Sequence, residues 1–167
     1  VINLAKKANH NYHRAKAYRY LGDLNESKQT LDSAYYYYDK AEKLYKTDST
    51  DKLDLARIAM YKAGILYDLG FNGESEIEIV KALEFFNEIN HPQFEFEANV
   101  LMALNLKELK EYNDALKYYN KIPNLIEEMG KDKSVATCWL AYYNNMGSYY
   151  IEIREHNLAK DYLEKGL

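Results

Sequence analysis

The chain has 167 residues with 7 Gly and 2 Pro, roughly half the usual Gly-plus-Pro share of about 12%, which argues against a turn-rich all-β fold. Hydrophobic residues at 47% and charged residues at 29% exclude a disordered acidic tail, a collagen-like chain and a coiled-coil composition. A formal charge of -4, from 22 Lys plus Arg against 26 Asp plus Glu, leaves no electrostatic footprint for nucleic acid, and no uncharged apolar run of about 18 residues exists to span a membrane.

Residues 1–9 read as the tail of a preceding repeat's second helix, because Val1 to Asn9-His10 lines up with Ala82 to Asn90-His91. Four predicted helix pairs follow: 11–28 with 31–46, 51–69 with 73–90, 92–109 with 112–129, and 134–153 with 157–167. They belong to repeats over 11–48, 51–90, 92–130 and 134–167, which together make one repeat domain over 1–167. Apolar spacing inside them is helical, as in Tyr18, Leu21, Gly22 and Asn25 at i, i+3, i+4, i+7. Ser49 or Asp51 can cap a start, Pro92 suits a first helical turn, and Gly70 and Gly130 sit at stops. Pro123, directly after Ile122, removes one backbone hydrogen bond and should kink or interrupt its helix. The chain starts at Val1 and ends within a helical pattern at Gly166-Leu167, and so reads as a piece of a longer protein.

The pairs repeat in register, with a period of about 40. Gly22, Ala63, Ala103 and Gly147 form one column of small residues, and Ala34, Ser75, Ala115 and Ala159 a second. Successive offsets are 41, 40 and 44, and a third column, Ala41, Ala82, Ile122 and Gly166, keeps them. Antiparallel helices approach to about 8–10 Å, and their closest crossing tolerates only Gly, Ala or Ser. The first two columns supply both sides of that crossing. The third lets the second helix meet the first helix of the next pair, since one helix pair cannot bury its apolar face alone.

No side-chain constellation supports catalysis. His10 and His13 stand at i, i+3, but no Cys, Asp or Glu joins them at ligand spacing, so no metal site is expected. Cys138 is alone, falls in a helix interior and reads as a buried or half-buried thiol. Neither a Gly-rich phosphate loop nor a serine elbow is present, and no cofactor is expected. In the run Tyr35-Tyr36-Tyr37-Tyr38, rings about 100° apart put Tyr38, with Tyr35, inside and the others outward. The tyrosine surplus, 18 Tyr against 5 Phe and 1 Trp, then falls on or beside packing columns, where a ring buries its body and keeps its hydroxyl wet.

These residues resemble the tetratricopeptide repeat, whose first helix carries aromatic, Leu, Gly and Tyr and whose second carries Ala, aromatic and Ala. The first unit matches with Tyr18, Leu21, Gly22, Ala34, Tyr38 and Ala41, and the fourth with Tyr143, Met146, Gly147, Tyr150, Ala159, Leu163 and Gly166. The third matches with Ala103, Ala115 and Tyr119, and the second, least well, with Ala63, Ser75, Ile79 and Ala82. A period of about 40 exceeds the family's usual 34 and is similar to the long-helix repeats of bacterial regulators.

The resemblance implies an all-α fold: a right-handed superhelical solenoid of antiparallel helix pairs. It also implies a concave groove lined by first helices, with Arg19, Arg57, Met60, Tyr67, Val100, Leu104, Lys107, Asn144 and Ile151 as binding residues. Of the groove residues, Met60, Tyr67, Val100, Leu104 and Ile151 would form an apolar stripe for a helix or extended segment. Arg19 and Asp23 stand where a clamp for a C-terminal carboxylate would want Lys and Asn, so such a clamp is not expected. The expected function is a non-catalytic protein- or peptide-binding scaffold, whose partner could also be a segment of the same parent protein. The alternative is a sensory or dimerising segment of a bacterial signalling regulator. Repeat faces left uncovered at the two ends could self-associate, and the single Cys is compatible with cytoplasm or periplasm.

Overall fold

A computed structural model describes residues 11–48, 52–131 and 133–167. The tail expected at 1–9, the His10 position and the caps Ser49 and Asp51 lie outside them. The described residues form nine helices, with no strand among them: α1 (Asn11–Ser27), α2 (Leu31–Asp48), α3 (Lys52–Asp68), α4 (Asn72–Ile89), α5 (Pro92–Glu108), α6 (Tyr112–Tyr119), α7 (Ile122–Glu128), α8 (Val135–Glu152) and α9 (His156–Lys165). Predicted limits differ from these by at most two residues, except that the helix predicted over 112–129 is two helices, α6 and α7. The chain divides into two compact units, Val1–Ile89 and Asn90–Leu167.

In the first unit α1 packs on α2, α3 on α4, and α2 on α3. Tyr38 is fully buried at its centre with Ala15, Ala34, Ala41, Ile58 and Ile65. Its ring stacks on Tyr61 at 5.2 Å. In the second unit α5 packs on α6 and α7, α7 on α8, and α8 on α9. The helix expected over 112–129 is broken there: α6 stops at Tyr119 and α7 begins at Ile122 with Pro123 in its first turn. Asn120 and Lys121 keep right-handed backbone angles, so the missing proline N–H interrupts the ladder without reversing the chain.

The small-residue columns sit where pairs cross. Gly22, Ala34, Ala41, Ala63, Ser75, Ala82, Ala103, Ala115, Gly147 and Ala159 are all buried. A Cβ added to Gly22 would overlap the ring of Tyr38, and one on Gly147 would lie 2.5 Å from Leu163. Ser75 Oγ donates to the Ala63 carbonyl at 2.8 Å, tying the second column to the first across the crossing.

A fourth column is made by the backbone. Gln29, Gly70, Lys110 and Arg154, at the same offsets as the small residues, all have positive φ, between 59° and 79°. Each turn closes with the same pair of bonds. In the third, Lys110 N–H donates to Lys107 O at 2.9 Å and Glu111 N–H to Leu106 O at 2.8 Å, the double closure that satisfies a helix's last carbonyls. Only one of the four is glycine, so the other three pay a left-handed penalty of about 1–2 kcal/mol. Lys110→Gly is therefore expected to raise the urea midpoint, by about 1 kcal/mol in unfolding free energy; an unchanged or lower midpoint would show the turn unstrained.

In α8 the more deeply buried tyrosines are those beside the repeat column. Tyr142 and Tyr149 are buried, while the column residues Tyr143 and Tyr150 are only half-buried. The reason for Tyr149 is that it reaches back to the preceding pair: its hydroxyl donates to Tyr112 O at 3.1 Å, and its ring meets Tyr119 at 5.8 Å. Tyr150 instead stacks on Tyr162 of α9 at 5.3 Å. In α2, Tyr38 is buried, Tyr35 half-buried and Tyr36 exposed, and Tyr37 stacks on Tyr18 at 6.2 Å.

Candidate functional site

In the first unit the candidate residues stand on α1 and α3, the first helices of their pairs. Arg19 is buried, with Nη1 donating to Asp23 Oδ2 at 2.9 Å. Its guanidinium also lies over the Tyr20 ring, 4.4 Å from the centroid, and the neighbouring Asp23 answers its charge. Arg57 is half-buried and donates to the Tyr61 hydroxyl at 3.0 Å. Met60 and Tyr67 are half-buried. The first helices of this unit thus carry an ion pair at Arg19 and Asp23, a half-buried Arg57, a thioether and an aromatic ring.

In the second unit the candidates stand on α5 and α8. Val100 and Leu104 are half-buried, and Asn144 and Ile151 are exposed. Lys107 is buried and joins the two helices: its Nζ lies 3.4 Å from Ser148 Oγ and 3.4 Å from Glu152 Oε2. Tyr112 donates to Glu152 Oε1 at 3.4 Å. Lys107 is thus tied into the chain, and the exposed apolar contribution of this face comes from Ile151. Each unit thus carries apolar side chains on its first helices together with charges held in ion pairs.

The other singled-out residues show no constellation for chemistry. His13 is exposed, with its ring edge-on to Tyr12, and His91 caps α5 with its ring 4.1 Å from Phe94. Cys138 is buried. Among the described residues no group of three or more His, Cys, Asp or Glu is placed to hold a metal, and no helix is long and apolar enough to cross a membrane.

Periodicity misses one cluster. Lys62 of α3, buried in the first unit, donates to Glu42 of α2 at 2.8 Å and to Glu78 of α4 at 2.9 Å. Lys46 and Lys81 add outer contacts to Glu42 and Glu78, at 2.5 and 3.0 Å. Three helices are held by one ammonium.

No family model matches the chain, and no curated protein matches it by sequence. Solved structures do resemble it. A Rap conjugation gene regulator of the plasmid pLS20, in complex with the Phr* peptide, superposes with a TM-score of 0.79 at 18% identity, over 96% of this chain and 44% of that one. The apo form of RapI superposes with a TM-score of 0.82 at 17% identity, over 98% of this chain and 58% of that one. The chain thus spans about half the length of the Rap structures it matches. At such identities the likeness speaks for the backbone alone: over nearly its whole length this chain has the all-α helical-repeat fold of the Rap proteins.

Proposed function

We propose that the chain is a non-catalytic scaffold of the tetratricopeptide type, in its longer-helix variety, and one segment of a bacterial regulator. It binds a peptide, or an extended segment of a protein, on the first helices of its repeats. The observation that carries this reading is the fold match over 96% of the chain to a regulator held in complex with a peptide. Each unit supplies apolar contacts of its own, Met60 and Tyr67 in the first, and Val100, Leu104 and Ile151 in the second. Arg57 and Asn144 supply polar ones. Binding energy comes from apolar burial at about 25 cal/mol per Å², reduced by the cost of ordering the peptide.

The test uses a peptide selected from a random short-peptide display library against the whole chain. Met60→Glu with Leu104→Glu is expected to weaken that peptide by at least about tenfold in a fluorescence titration, because each carboxylate would be desolvated against an apolar contact. Circular dichroism should be unchanged, since both positions are only half-buried. Undiminished affinity in a still-helical double variant would sink the reading.

A further inference from the structure

The four helix pairs are near copies, and a face that stacks on its own neighbour has the chemistry to stack on the equivalent face of another pair. One junction departs from the pattern. Directly before the first small column stand Leu21, Lys62, Met102 and Met146; four residues before the third small column stand Tyr37, Glu78, Tyr118 and Tyr162. The second pair alone exchanges an apolar side chain and a tyrosine for an ion pair of 2.9 Å. The other partner, Glu42 at 2.8 Å, belongs to a column continued by Leu83, Pro123 and Leu167.

The exchange is not the most favourable filling of the space. Side chains of Lys62 and Glu78 are only 5% and 7% exposed, and Glu78 Oε2 is buried without a hydrogen-bond partner. Apolar residues of similar volume generally do as well or better than a buried ion pair. What the charges supply is discrimination, because a buried ammonium is tolerated only where carboxylates meet it.

We propose that the Lys62–Glu42–Glu78 triad selects the partner of α3: it admits α2 of the same chain and turns away equivalent second helices, whether from other pairs or from a second copy. Were α4 of a second copy to take the place of α2, Lys62 would face Leu83 and keep only Glu78. The proposal is independent of any peptide.

The test gives the whole chain the residues that its sister pairs carry: Glu42→Leu, Lys62→Met and Glu78→Tyr together. A second version with Glu42→Gln guards against a local misfit at that position. The expected result is retained helicity, an equal or higher urea midpoint, and self-association in sedimentation at least about tenfold tighter than in the natural chain. A second set of amide resonances should accompany it in α2 and α3. Variants as monomeric as the natural chain, with one set of resonances, would overturn the proposal. So would a lowered midpoint or lost helicity in both, which would make the triad a source of stability.

Discussion

Lys62→Met is expected to lower the unfolding free energy by up to about 3–5 kcal/mol, read from urea denaturation at neutral pH, because one substitution removes the buried ammonium that two buried carboxylates share and leaves each with only its outer lysine, Lys46 or Lys81. The acid response gives the mechanism away. Burial opposes ionisation of Glu42, yet hydrogen bonds from Lys46 and Lys62 outweigh it and hold the carboxyl below its ordinary 4.5. A pKa depressed on folding gives stability that is complete above the unfolded value and lost as pH falls through the folded one. Lys62 has the opposite sign: burial disfavours its charge, but hydrogen bonds to Glu42 and Glu78 raise its pKa above 10.5. Its contribution is complete below that value and lost only as pH rises beyond it. The natural chain should therefore hold a plateau from about pH 5 to 10 and weaken on the acid side. In Lys62→Met the buried Glu42 loses one of the two hydrogen bonds that hold its carboxyl ionised, so the loss of stability on acidification should shrink or reverse. Parallel pH profiles for the two proteins would contradict the network.

Tyr38→Ala is expected to cost about 3–5 kcal/mol, since it removes a fully buried aromatic ring and leaves a cavity that helices cannot close. The ring fills the space above Gly22, stacks on Tyr61, and ends in a hydroxyl 2.9 Å from Asp23 Oδ1 and 2.6 Å from Glu26 Oε2. Tyr38→Phe separates these contributions: it keeps the ring and loses only the polar contacts, for about 1–2 kcal/mol, because the Asp23 side chain, 37% exposed, can be rehydrated. Equal losses for the two variants would mean that the hydroxyl, not the packing, holds α1 to α2.

Helix limits and crossings were legible in the sequence because they depend on residue size at fixed spacing. Gly22 and Gly147 announce a close approach, and Pro123 an interruption, whatever else surrounds them. Charge and conformation were harder to read. Gln29, Lys110 and Arg154 adopt the same left-handed turn as Gly70, but none has the side-chain signature of that turn. Lys62 replaces Leu or Met in its column, which weakens the second unit's match to the repeat pattern, and Glu78 replaces Tyr in the column beside the pattern's aromatic one. The signal that could have found the triad was that mismatch, taken with its complement sixteen residues on. In the candidate site, helical phase places Arg19 and Lys107 on first helices, but it does not show which carboxylate meets each charge. Asp23 answers one and Glu152 the other. Tyr149 was hidden for a related reason, since helical phase within α8 does not reveal that α6 lies on its other side.

Hydrogen exchange of the whole chain, with and without a saturating display-selected peptide, tests the central claim most directly. Peptide binding on first helices predicts added protection in α1, α3, α5 or α8, centred on Met60 and Tyr67 in the first unit or on Leu104 and Ile151 in the second. Protection confined to the second helices α2, α4, α6 and α9, with the first helices unchanged, would contradict it.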